Sequence, residues 1–309
     1  MPRRPARVPV NHGPAAPPAE ALRRLGGGGR VLRALGGNAN MHWLAGDPNA
    51  PAVLRRYGPW HDLDDVGYEL RLLDRVAALG WPVPTALAAP QRVGRHVWGL
   101  FRYLPGRPRR PRTVAAGSAE RRARGRLLAA LHADLATVTD LGQRSGWRRR
   151  DEVLGPREDG PSVEAVVAAR VAPDDAAVLL AYADRTRARF AALRAAQLPS
   201  VVTHGDLIGG NVLYAGGALS GVIDFDLAHL DHRVADFAWT WRGRYDDFVR
   251  GYEEVTPLPA AERALLAPAF WASVLDAARL ELLWDGSAAR VPLPGAVAYL
   301  RRRSELTGE

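Results

Sequence analysis

The sequence predicts an α+β protein in two parts, a small sheet-bearing N-terminal part and a larger, mainly helical C-terminal one. Three observations predict it. Between Leu25 and Arg56, glycine clusters alternate with short apolar stretches, the pattern of strands joined by turns. Directly afterwards Val66, Leu70, Leu73 and Ala77 fall on one face of a helix. Beyond residue 104 the apolar repeat is helical nearly everywhere, and Val201 to Asp224 is the main departure from it.

Residues 1–20 are basic and proline-rich and are read as a disordered tail; they lack the apolar stretch of a secretory signal. Residues 21–104 form the expected N-terminal lobe and residues 105–309 the C-terminal lobe. Asp62 or Asp64 caps the predicted helix, and Gly80 with the WPVP run stops it. Strand-like segments follow near Thr85 to Ala88 and His96 to Tyr103, and Leu104-Pro105-Gly106 is the candidate hinge between lobes. Leu127, Leu128, Leu131 and Leu135 make one helical stripe, and Val178, Tyr182, Phe190 and Leu193 another. Gly142 to Pro161 reads as a polar, irregular linker. From Val201 a strand, a loop and a hairpin turned at Gly216-Gly217 precede a return to helix at Ala235, with Leu266, Phe270, Val274 and Leu275 as core positions.

Composition narrows the function classes. The chain has 309 residues, 47% apolar and 24% charged, as in ordinary globular proteins. It contains no cysteine, which excludes disulfides and thiolate metal sites. No apolar run approaches the roughly 18–20 residues that span a bilayer, so a cytoplasmic protein without membrane partners is expected. The net charge of +9 invites a nucleic-acid partner, yet all 42 basic residues are arginine, scattered except near 107–112 and 148–150. No aromatic interleaving or nucleic-acid motif accompanies them, and the expectation is no nucleic-acid partner.

The chemistry concentrates in HGDLIGGNVLY, residues 204–214, and in Asp224. Four residues separate Asp206 from Asn211, the gap found in the kinase catalytic loop H-R-D-x-x-x-x-N. In that chemistry the Asp orients the acceptor hydroxyl and takes its proton, while the Asn and a later Asp hold Mg2+ on the ATP phosphates. Asp206 is therefore the candidate base, and Asn211 and Asp224 are the candidate metal ligands, hard oxygen donors of the kind magnesium prefers. Asp226, two residues on, is either a second metal contact or a turn residue.

HGDLIGGNVLY, followed by SGVIDFDLAHLDHRVADFAW, resembles the signature of the aminoglycoside phosphotransferase and choline kinase superfamily, which includes bacterial homoserine kinases of the second type. The resemblance is close from Val201 to Trp239, and fainter but in the same order from about Leu35 to Leu135. It implies a bilobal protein-kinase-like fold, with an antiparallel sheet and a helix in the N-terminal lobe and ATP in the cleft. It also implies that His204 and Asp236 brace the catalytic loop without entering the chemistry.

On the nucleotide side, the usual strand lysine is absent and Arg55 takes the matching place, with Glu69 as its natural partner. Arg56, on the opposite face of the strand, is the competing assignment. Gly36 and Gly37 mark the phosphate-covering loop, with the Gly26 to Gly29 run as the alternative. Phe101 and Tyr103 mark the hinge whose backbone would meet adenine. These residues point to an ATP- and magnesium-dependent kinase acting on a small-molecule hydroxyl, of the aminoglycoside phosphotransferase type. A metabolic amino-alcohol kinase (homoserine or choline type) and a nucleotide-binding regulator without turnover are the alternatives. Acidic and basic residues nearly balance beyond Phe237, which is not the acidic lobe a polycationic drug requires. Candidate acceptor-side groups are Asp246, Asp247, Glu253, Glu254, Asp276, Glu281 and Asp285, with Trp239, Trp241, Tyr245, Trp271 and Trp284 lining a site or the core.

Overall fold

The computed structural model describes residues 17–26, 30–37, 40–109, 117–158, 160–243, 246–284 and 290–307. Residues 1–16 of the expected tail, Tyr245, Asp285 and the Trp284 side chain lie outside the described residues. Helix α1 (Ala19–Arg24) begins before the expected end of the tail, because Ala21, Leu22 and Leu25 bury themselves on a sheet. That sheet is antiparallel, with strands β1 (Val31–Gly36), β2 (Met41–Asp47), β3 (Ala50–Arg56), β4 (Gln91–Val93) and β5 (His96–Arg102) in the order β1-β2-β3-β5-β4.

Alternation along β3 gives the sheet two faces. Ala52 and Leu54 point toward α1 with Trp43 and Trp98, whose rings stack at 5.6 Å. Val53 faces the other way, toward helix α2 (Leu63–Ala78). Asp62 caps α2 by accepting from the Asp65 N–H at 2.8 Å. The helix buries Val66, Leu72, Leu73 and Val76, each contributing about 1.5–3 kcal/mol. Thr85 to Ala88 is not a strand: only Ala86 bridges to Phe101, and the strand forms instead at Gln91–Val93, where the chain reverses and pairs with β5.

The helical part runs through α3 (Ser118–Leu135), α4 (Val163–Arg170) and α5 (Pro173–Ala192). It is broken by β6 (Val201–Thr203), the hairpin β7 (Val212–Ala215) and β8 (Ala218–Val222), and β9 (His229–Asp231). Helices α6 (Asp247–Glu253), α7 (Ala260–Ala264), α8 (Leu266–Trp284) and α9 (Pro294–Thr307) complete it. Strand β9 pairs with β6 and had no sequence signal, since three residues carry too little periodicity to be seen. Helices α3 and α6 cross closely: a Cβ at Gly125 would lie 2.0 Å from the Phe248 carbonyl oxygen, and one at Gly251 equally near that of Arg122. Leu128, Leu131 and Leu135 from α3 join Phe237, Phe248, Phe270 and Leu275 in one core, which continues into α2.

Two attachments fix the hairpin beside the Leu104-Pro105-Gly106 segment. Arg107 and Tyr214 exchange backbone bonds of 3.0 and 2.9 Å, and the Val222 N–H donates to the Pro82 carbonyl at 2.8 Å. Among the described residues no helix is long and apolar enough to cross a membrane.

Candidate active site

The chain leaves β6 at Thr203 and turns into the loop that carries Asp206. Asp236 holds the turn from below: its carboxylate accepts from the backbone N–H of His204 at 2.8 Å and of Gly205 at 2.5 Å, and from His132 Nε2 at 2.8 Å. Burial alone would raise the Asp236 pKa, but the His132 contact outweighs it and keeps the carboxyl below its usual range. His204 is fully buried and serves the backbone on both sides. Its Nδ1 accepts from the Asp206 N–H at 3.2 Å, so Nε2 carries the proton and donates to the Ile223 carbonyl at 3.2 Å. Burial lowers its pKa, consistent with this neutral ring. Asn211, in the 3-10 turn Gly209–Asn211, donates through Nδ2 to the Asp206 carbonyl oxygen at 2.8 Å and to Asp206 Oδ2 at 3.2 Å. The amide oxygen of Asn211 is thereby turned away from Asp206.

The hairpin returns to the same place. The Ile223 N–H donates to the Asn211 carbonyl at 2.9 Å, and Asp224 follows in a left-handed conformation, φ 75°. Burial, the neighbouring Asp226 and, less strongly, Asp206 push the Asp224 carboxyl up to about 8. That crowding of carboxylates is what a bound divalent cation would relieve, so Asn211 and Asp224 fit a magnesium held jointly with phosphate oxygens.

Asp226 does not share a strand face with Asp224, because β8 ends at Val222. It turns instead toward the N-terminal half, accepting from Asn40 Nδ2 at 2.6 Å and lying 3.4 Å from Arg55. Burial opposes its charge, but Arg55, His61 and Asn40 together hold it ionised well below the usual range.

Arg55 faces this cluster. Nη1 meets Glu69 at 2.9 Å and Nη2 meets Asp224 at 2.9 Å. Arg56, next along β3, lies on the sheet's other face; burial and nearby Arg95 lower its pKa. Glu69 sits inside the buried face of α2, 1% exposed, a place a carboxylate tolerates when paired as it is with Arg55. Gly36 ends β1 and Gly37 follows at φ 151°. A Cβ on Gly37 would stand 1.7 Å from the Asn40 carbonyl oxygen, so that glycine closes the loop upon itself. Phe101 is buried within β5, whereas Tyr103 lies just past the strand, half-buried. The Arg102 N–H between them is taken by the Thr85 carbonyl at 2.9 Å.

Residues 30–279 match the model of the phosphotransferase enzyme family. A homoserine kinase of Xanthobacter autotrophicus is 30% identical over 247 residues, covering 74% of this chain and 73% of its own length. The chain belongs to the phosphotransferase enzyme family. Among solved structures, a microcompartment-associated aminopropanol kinase superposes with a TM-score of 0.69 at 21% identity, over 92% of this chain and 93% of its own. An aminoglycoside phosphotransferase in ternary complex with ADP and hygromycin B gives 0.59 at 16%, over 91% and 96%. The architecture is the bilobal kinase-like fold expected from the sequence.

The phosphotransferase also has a brace that no local pattern revealed. Arg144, in the segment read as a linker, is 1% exposed. It donates to Asp65 Oδ1 at 2.5 Å and to the backbone oxygens of Asp65 at 3.0 Å and of Asp226 and Ala228, both at 2.8 Å. Trp147 Nε1 donates to the same Asp65 oxygen at 2.9 Å, and His61 bridges the other Asp65 oxygen toward Asp226, 3.8 Å away. This ties the first turn of α2 to the segment that follows Asp224.

Most of the carboxylates named as acceptor-side candidates are paired or hydrogen-bonded. Asp246 pairs with Arg121, Glu254 with Arg122 and Arg126, Glu253 with Arg263 and Asp276 with Arg279. Asp247 accepts from Ser118, and burial pushes half-buried Glu281 up to about 6. Trp241 and Trp271 are core residues, while Trp239 is half-buried.

Proposed function

We propose that this phosphotransferase moves the γ-phosphoryl group of ATP, with magnesium, to the hydroxyl of a small amino alcohol of the homoserine kind. The observation that carries the reading is the meeting of Asp206, Asn211 and Asp224 where the loop after β6 and the end of the hairpin adjoin. Phosphoryl transfer needs positioning and charge neutralisation more than covalent help, and this arrangement supplies positioning. Asp206 receives the acceptor hydroxyl and its proton; the bond its backbone N–H donates to His204 and those from Asn211 fix where its carboxylate stands. Asn211 and Asp224 would hold the ion, and magnesium, when bound, neutralises charge on the phosphates. Arg55, oriented by Glu69, presents a guanidinium to the same crevice. The ADP complex of the related aminoglycoside enzyme supports a nucleotide in the cleft.

The homoserine kinase relatives favour a small acceptor. The arginine pairing of the helical half supports the same choice, because it leaves little free negative charge for a polycationic aminoglycoside. Magnesium- and ATP-dependent turnover should be screened with homoserine, 3-amino-1-propanol, choline, aminoglycosides and macrolides. The expected result is phosphorylation of homoserine or a close analogue. Selective turnover of an aminoglycoside, or binding of ATP without turnover of any acceptor, would overturn the reading.

A further inference from the structure

Helix α3 carries four arginines on its first three turns, and one of them differs from the rest. Arg121 is paired with Asp246 and the Thr240 carbonyl, while Arg122 and Arg126 share Glu254. Arg124 is only 8% exposed, yet among the described residues it has no hydrogen-bond or ion-pair partner, and its Nε is buried without one. It occupies the stripe that continues as Leu128, Leu131 and Leu135, where an apolar residue would be at home. Its guanidinium lies over the Phe248 ring, 5.9 Å from Cζ to the ring centre. Glu120, one turn earlier, forms no ion pair with it; among the described residues only weaker attraction remains.

The guanidinium is aimed at the loop that carries the chemistry. A Cβ built on Gly209, between Asp206 and Asn211, would lie 2.5 Å from Arg124 Nη1. Any residue but glycine at 209 would displace that group. Burial lowers the Arg124 pKa, and nearby Arg121 and Arg242 lower it further against the opposing pull of Glu120, so among the described residues the position stays short of negative charge and gains from a bound anion.

We propose that Arg124 reads an anionic group on the acceptor, a carboxylate beside the amine and the hydroxyl, and thereby selects hydroxy amino acids over simple amino alcohols. This rests on the small-acceptor reading above. The donor phosphates are the other source of anionic oxygen, but the phosphate-side cation proposed above is Arg55, paired with Glu69 and Asp224, whereas Arg124 comes from helix α3. Arg242 adds positive charge to the same neighbourhood, which disfavours a purely cationic acceptor.

The test compares L-homoserine with 3-amino-1-propanol, which keeps the hydroxyl, chain and amine and lacks only the carboxylate. The wild-type protein should prefer homoserine by about 10- to 100-fold in kcat/KM, as for one charge-assisted contact. Arg124→Met should bring homoserine down to the level of aminopropanol through KM, leave KM for ATP unchanged, and keep or raise the Tm because it removes a buried unpaired charge. Arg124→Lys should recover part of the preference. Calorimetric binding of the two compounds, read without turnover, separates the two ideas. Arg124-dependent binding of homoserine in a protein that phosphorylates neither compound would sustain this inference while sinking the proposed function. Equal turnover of both acceptors, unchanged by Arg124→Met, would sustain that function and overturn the inference. A raised KM for ATP with acceptor preference intact would assign the site to a donor phosphate and also overturn it.

Discussion

Arg144→Met removes the guanidinium that joins α2 to the segment after Asp224. Three backbone oxygens, those of Asp65, Asp226 and Ala228, lose their charged donor, and among the described residues the Asp65 carboxylate keeps His61 and Trp147. A hydrogen bond to a charged group contributes about 1.5–3 kcal/mol, and such bonds sharing one donor group do not add. Breaking a buried pair from one side costs about 3–5 kcal/mol, and methionine recovers little because the guanidinium now packs on Trp147 at 4.6 Å and Tyr68 at 5.4 Å. The expected loss is therefore about 3–5 kcal/mol at neutral pH. Urea unfolding should show it as a lower midpoint at unchanged slope. Asp65→Asn in the Arg144→Met background should cost less than it does alone. The pH dependence has a defined sign. Burial opposes the Asp65 charge, but His61 and Arg144 outweigh it and lower its pKa. Its contribution is present above the unfolded carboxyl value and is lost as pH falls through the folded one, so wild type and variant should converge partly in acid. A loss below about 1 kcal/mol, typical of an exposed ion pair, or strict additivity with Asp65→Asn, would refute the reasoning.

Asp206→Asn should lower kcat by orders of magnitude while nucleotide affinity measured by calorimetry stays near wild type; undiminished turnover would discard Asp206 as the base. Arg55→Ala should destabilise the fold by about 3–5 kcal/mol, since it leaves Glu69, Asp224 and Asp226 facing one another, and should weaken ATP binding. If Arg56→Ala matched it in both respects, the facing of β3 would be wrong. Gly37→Ala should cost about 1–3 kcal/mol, because its Cβ meets the Asn40 carbonyl, and should disturb the bond from Asn40 to Asp226. An unchanged Tm together with unchanged nucleotide affinity would show that the loop closes some other way.

The loop from His204 to Asn211 was legible because its chemistry sits on neighbouring residues, where spacing along the chain is spacing in space. Arg55 was legible for a related reason: strand alternation sends it to the face opposite Arg56, and α2 places Glu69 within reach. Asp226 was harder. Whether it joined Asp224 depended on where β8 stopped, and the left-handed turn at Asp224 sends it to Asn40 and Arg55 instead. The strands β4 and β9 were invisible because three residues hold no readable period; partner strands chose them.

Arg124 and Arg144 mark the boundary between the two kinds of knowledge. In the sequence they are two arginines among 42, one on a helical stripe and one in a polar segment. What separates them from the others is burial and partnership, and both are decided by residues far along the chain: Asp65, Asp226 and Ala228 around Arg144, Gly209 and Phe248 beside Arg124. Local order determined the candidate loop from His204 to Asn211, the helices with a clear apolar face and the α+β arrangement, because dihedral preference, capping and periodicity act between near neighbours. Only the folded chain decided which arginines are neutralised and which are buried without an acidic partner among the described residues, because electrostatic cost follows distance and burial in three dimensions.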